Sequence, residues 1–160
     1  MVEISLNVYE LPTDMNRYLG YFAMKAYHTG VQVGNNYEYC FSSAGIQRGG
    51  CRLEEYGLFH EQIKIGLCRF SEINGAVATL RENQFSPGIY DSANKNCSHF
   101  SQALLDMLFP EVEFPAYINR LAYFSSFFAP KLPSSNEDVI LPQIGTTSTT
   151  STTSSSSHSK

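Results

Sequence analysis

The sequence predicts an α+β domain in which a small antiparallel sheet packs with helices. Two periodicities carry the prediction. Apolar residues alternate at period two near the start of the chain and recur at helical spacing after residue 70. The order is the third observation: strand-like segments come first and helix-like segments follow, as in α+β architectures.

Val2, Ile4, Leu6 and Val8 alternate with Glu3, Ser5 and Asn7, which predicts a strand with one buried face. Pro12 and Asn16 break the pattern. Residues 21–28 read as a second strand, followed closely by Val31-Gln32-Val33. Gly34-Asn35-Asn36 is a turn signal, and Tyr37-Glu38-Tyr39-Cys40-Phe41 reads as the returning strand, so residues 26–41 are expected as a hairpin. Ser42 to Gly50, with glycines at 45, 49 and 50, reads as a loop. Glu61 to Leu67 reads as a further short strand. Ser71 is the expected N-cap of a helix, with Glu72 in its first turn and Ile73, Ala76, Val77 and Leu80 on one face through about Asn83. Ser86-Pro87-Gly88 ends it. Cys97 to Leu108 is the second helix, stopped before Pro110, and a third short helix is expected over residues 116–124.

The 160 residues suffice for one domain. From Gly145 the chain is Ser and Thr with almost nothing apolar to bury, so its ordering entropy has no offset. The expected organisation is a folded domain over residues 1–131 and a disordered Ser/Thr-rich tail over 132–160. The net charge of −4 and the lack of any Lys/Arg run weigh against nucleic acid as a partner. Met1-Val2-Glu3-Ile4-Ser5 has neither the basic start nor the apolar run of a signal peptide, and no stretch of about 18 apolar residues could cross a bilayer. A soluble, cytoplasmic protein is expected, with the nucleus left open. Its oligomeric state is not legible. Cys40, Cys51 and Cys68 form no CxxC and match no zinc module, so they read as small buried hydrophobes. No phosphate loop, dinucleotide fingerprint, HExxH or EF-hand pattern occurs, and neither metal nor cofactor is expected.

The most informative stretch is Asn96-Cys97-Ser98-His99-Phe100-Ser101. It sets a cysteine where a loop becomes an amphipathic helix whose apolar positions are Phe100, Leu104 and Leu108. Unpaired N–H groups at a helix start favour the thiolate, the nucleophilic form. Tyr27-His28-Thr29-Gly30-Val31 offers an imidazole in a strand. There His28, Gly30 and Gln32 share the less apolar face, which suits a cleft, and Gly30 leaves room for a close backbone approach. Residue types alone leave two readings open: a Cys/His pair assembled in space, or an inert buried thiol beside an edge histidine. His99 lies about 200° around the helix from Cys97 and reads as structural. His60 and His158 lack supporting context. Asp91 and Asn94 read as turn residues that could also orient a group before the cysteine.

Four segments together resemble the PPPDE family, also called DeSI, of papain-like cysteine isopeptidases acting on ubiquitin- or SUMO-modified proteins. Leu6-Asn7-Val8-Tyr9-Glu10 resembles the family's first strand. Tyr27 to Val33, with Tyr37-Glu38-Tyr39, resembles its histidine hairpin. Lys95-Asn96-Cys97-Ser98-His99-Phe100-Ser101 resembles its nucleophile motif, and Pro115 with Ile118-Asn119-Arg120-Leu121-Ala122 its closing segment. The resemblance implies a permuted papain-like fold, with the histidine ahead of the cysteine. It also implies a catalytic dyad of Cys97 as nucleophile and His28 as base and acid, and ubiquitin or SUMO-like modifier conjugates as partners. The chain departs from the family at Ala23-Met24-Lys25-Ala26, at Ser42-Ser43-Ala44, at Ser98 and at Tyr117. The Ser42-Ser43 change bears on substrate choice, because that loop could border the cleft. A thioesterase or acyltransferase using the same dyad, and an inactive interaction module, are the competing classes.

Overall fold

The computed structural model describes residues 1–11 and 25–120. Its strands are β1 (Val2–Glu10), β2 (Tyr27–Val33), β3 (Tyr37–Ser42), β4 (Gly45–Gly49) and β5 (Leu58–Cys68). They form one sheet in the order β4-β3-β2-β1-β5, antiparallel throughout. Two helices follow, α1 (Phe70–Asn83) and α2 (Cys97–Leu108). This is the expected α+β architecture.

The central strand β1 explains the sheet's two faces. Ile4, Leu6 and Val8 join Val31, Val33, Phe41 and Ile46 in an apolar core. The core also takes Ile73, Val77 and Leu80 of α1 and Phe100, Leu104 and Leu105 of α2. Period two sends Ser5, Asn7 and Tyr9 to the opposite face. That face is buried too, which corrects the expectation of a strand with one buried face. The register sets Asn7 against Gly30 and Tyr9 against His28, so the histidine lies on this second, polar face.

The β2–β3 hairpin turns at Gly34, whose φ of +58° suits a residue without a Cβ. The expected loop from Ser42 to Gly50 instead contains β4. Gly45 turns the chain at φ +90°, and Ile46 then drops into the core. The run of glycines hides this strand from a propensity reading. β5 is longer than expected and pairs with β1 from Val2↔Cys68 to Glu10↔Leu58.

α1 begins two residues early for a Ser71 cap. Arg69 is its N-cap residue, and the Glu72 carboxylate accepts the Arg69 N–H at 2.7 Å. The expected apolar face is buried as spaced. In α2, Phe100 and Leu104 are buried and Leu108 is half-buried. Phe100 packs edge-on against Phe85, with centroids 5.4 Å apart. Residues 116–119 form a turn and Arg120 is helical; residues 121–124 of the third expected helix, and residues 21–24 of the second expected strand, lie outside the described residues. Among the described residues no helix is long and apolar enough to cross a membrane.

Candidate active site

The start of α2 is built by its own side chains. Asn96 stands at N-cap in an extended conformation, and its Oδ1 accepts the N–H groups of Ser98 (2.9 Å) and His99 (3.2 Å). In return His99 Nδ1 accepts the Asn96 N–H at 3.3 Å. His99 is therefore part of the cap, as its angular offset from Cys97 predicts. Asp91 and Asn94 make the turn before it: the Asp91 carboxylate accepts the N–H groups of Ala93 (2.8 Å) and Asn94 (3.1 Å) and the Asn94 amide (3.1 Å). These bonds hold the Asp91 carboxyl below its ordinary pKa. The loop is a rigid lead-in that delivers Cys97 to a defined place.

That place is where two strands part. β2 and β3 pair only from Val31↔Tyr39 to Val33↔Tyr37, although β2 reaches back to Tyr27 and β3 runs on to Ser42. Beyond the ladder the Cys97 sulfur meets β2. The His28 side chain and the backbone N–H of Thr29 act on it there, and both lower its pKa. A turn further along α2, Ser101 Oγ lies 2.9 Å from Thr29 Oγ1, both buried. The residue beside His28 is thus bonded to the helix that carries Cys97. The structure brings together the two residues singled out 69 positions apart in the sequence.

Their electrostatics are mutual. Cys97 is only 4% exposed, and burial pushes its thiol up. The hydrogen bond and charge of His28, with the Thr29 N–H and Ser98, outweigh burial and bring it below an ordinary thiol. Burial likewise disfavours a charged His28, but its bond to Cys97 and the negative charges of Cys97 and Glu38 leave it above an ordinary imidazole. The arrangement favours a thiolate beside an imidazolium. The His28 ring is held between Tyr56, stacked at 5.4 Å, and Tyr9, tilted at 5.8 Å.

Two contributors were not legible beforehand. Tyr90 lies near Cys97; burial and the charge of Cys97 push this phenol up to about 12. Its ring rests on Phe41, centroids 5.6 Å apart. Glu38 is wholly buried on the His28 face. Its carboxylate accepts Asn7 Nδ2 at 2.5 Å and the Tyr9 hydroxyl at 2.9 and 3.0 Å. An acidic residue inside an otherwise apolar strand, with a glycine on the neighbouring strand, was the available signal. Gly30 does make room, but for the Glu38 side chain and not for backbone: a Cβ there would stand 2.9 Å from the carboxylate.

The remaining candidates separate. Cys68 is buried as expected, whereas Cys51 is only half-buried, which corrects that reading. Cys40 does more than fill space, since its thiol lies 3.9 Å from Glu38 Oε1. His60 pairs with Glu10 at 3.2 Å, away from Cys97. His158 lies outside the described residues. Among the described residues no group of three His, Cys, Asp or Glu side chains could hold a metal ion.

The family model described as "PPPDE putative peptidase domain" matches residues 2–134. The chain is also similar to a DeSI-like protein of Arabidopsis thaliana, 28% identical over 141 residues. That alignment covers 84% of this chain and 62% of the relative, so the chain spans less than two thirds of the relative's length. The histidine strand, the sheet and the cysteine helix all lie inside the matched span, and the chain belongs to the PPPDE peptidase family.

Proposed function

We propose that the chain is a cysteine isopeptidase that removes ubiquitin- or SUMO-like modifiers from proteins, with Cys97 and His28 as its catalytic dyad. The observation that carries the reading is the placement of His28 beside Cys97, where each favours the other's charged form. The Cys97 thiolate attacks the carbonyl carbon of the isopeptide bond between the modifier's C-terminal residue and a lysine. His28 then protonates the leaving lysine amine, and the modifier remains as a thioester on Cys97. Water, deprotonated by His28, attacks that thioester. The acid is released and Cys97 leaves as the thiolate beside a reprotonated imidazole.

The tetrahedral oxyanion needs donors. The start of α2 offers backbone N–H groups, but Asn96 already occupies those of Ser98 and His99. The Cys97 N–H is the donor this leaves. The catalytic domain in this proposal ends near residue 131, and residues 132–160 take no part in chemistry.

The test is a panel of electrophilic ubiquitin, SUMO and acyl-thioester probes on wild type and Cys97→Ser. Labelling of wild type alone by a modifier probe is the expected result. Labelling by the acyl probe alone assigns a thioesterase, and no labelling by any probe assigns a non-catalytic module.

A further inference from the structure

We propose that Glu38 is a positioning residue for the dyad, a buried carboxylate that holds His28 in its imidazolium form by charge and never touches substrate. The proposal rests on the reading of His28 and Cys97 as a dyad.

The placement follows from the sheet. Glu38 is paired with Gln32 across the β2–β3 ladder and shares the polar face with Gly30 and His28. Its side chain lies over Gly30, in contact that an alanine would not permit. His28 is two residues along the same strand and the same face. Asn7 and Tyr9, which hold the carboxylate, sit opposite Gly30 and His28 on β1. Asn7 is fixed in turn, since its amide also donates to Gln32 Oε1 at 2.9 Å. Three strands therefore fix one carboxylate on the face that carries the imidazole.

A wholly buried carboxylate is costly unless it is hydrogen-bonded and near a cation. The groups facing it can be named element by element. β1 contributes Asn7 and Tyr9; β3 contributes Cys40; the segment between β4 and β5 contributes Cys51 and Tyr56, with Arg52 acting on Cys51 and Tyr9. β2 contributes His28, and α2 carries Cys97 against it. Two of these are cations. The Arg52 guanidinium is engaged elsewhere, donating to Gln62 Oε1 at 3.0 Å and lying 4.5 Å over the Phe59 ring. That leaves His28 as the cation sharing the Glu38 face. Burial raises the Glu38 carboxyl above its ordinary value, and the bonds from Asn7, Tyr9 and Cys40 and the charge of His28 counter it only in part. The charge of Glu38 in turn raises His28.

The experiment follows the His28 ring by proton NMR across pH, together with iodoacetamide alkylation of Cys97 read by mass spectrometry. Wild type, Glu38→Gln, Tyr9→Phe and His28→Ala are compared. Glu38→Gln keeps the shape and removes the charge, so the imidazole midpoint should fall by about one unit. Tyr9→Phe removes one donor to the carboxylate and should move the midpoint the same way by less. An unchanged midpoint in Glu38→Gln would show that the carboxyl is neutral and structural, and would overturn the proposal. Should Glu38→Gln fail to fold, an unchanged midpoint in Tyr9→Phe overturns it equally. If His28→Ala leaves alkylation unchanged, the dyad reading itself fails. If only the Glu38 variants are silent, the dyad stands and this proposal alone falls.

Discussion

The hydroxyls of Thr29 and Ser101 lie 2.9 Å apart in the buried seam between β2 and α2, joining the strand that carries His28 to the helix that carries Cys97. Thr29 follows His28 directly, and its backbone N–H reaches the Cys97 sulfur. Ser101 stands four residues after Cys97 on the same helix face. The seam is thus stitched at two points, one of them at the reactive atom.

Ser101→Ala should destabilise the domain by about 1–3 kcal/mol, because the Thr29 hydroxyl is left buried without its partner. Cys97 alkylation should slow as well, since the helix loses its tether to the histidine strand. Thermal melting and site-resolved alkylation check the two effects. Wild-type values in both would show that the bond is incidental.

Gly30→Ala should destabilise by about 1–3 kcal/mol through overpacking. The new methyl would stand 2.9 Å from the Glu38 carboxylate, which three strands hold in place. Gly75→Ala on α1 meets nothing within 4 Å and serves as the control. Denaturant midpoints separate the two, and equal midpoints would show that the carboxylate can move aside.

Local patterns of the fold were legible and distant ones were not. The alternation in β1, the Gly34 turn and the span of α2 each follow from neighbours a few residues apart. The cap of α1 was misplaced because Glu72 reaches back past Ser71 to the Arg69 N–H, which spacing alone does not reveal. β4 was read as loop because Gly45 and Gly49 lower strand propensity while Ile46 still buries. His28 and Cys97 were singled out by motif and strand or helix context. Their placement beside each other, and the roles of Tyr90 and Glu38, depend on how the sheet opens between β2 and β3.

Tyr90→Phe should raise the Cys97 thiol pKa by about one unit, the worth of a hydrogen bond to a charged sulfur at the low end of its range. The phenol is in its neutral, donating form at physiological pH. The alkylation rate below the new midpoint should fall about tenfold while the fold is kept, since the ring still packs on Phe41. An unshifted midpoint would remove Tyr90 from the site.

Deleting residues 135–160 should leave the melting temperature and probe labelling nearly unchanged. The family match ends at residue 134, and the Ser/Thr tract has little apolar surface to contribute. A melting loss of several degrees would place the domain boundary further along the chain.

The central claim is that Cys97 and His28 act as a charged pair, and the pH dependence of Cys97 alkylation tests it most directly. A thiol held below its ordinary pKa reacts as thiolate on the acid side of the ordinary midpoint of about 8.5. The raised imidazole should add a second step as it loses its proton at higher pH. In His28→Ala the thiol loses both the bond and the positive charge while burial remains, so its midpoint should move up and the second step should vanish. A single wild-type step near the ordinary thiol value, unchanged in His28→Ala, would contradict the account.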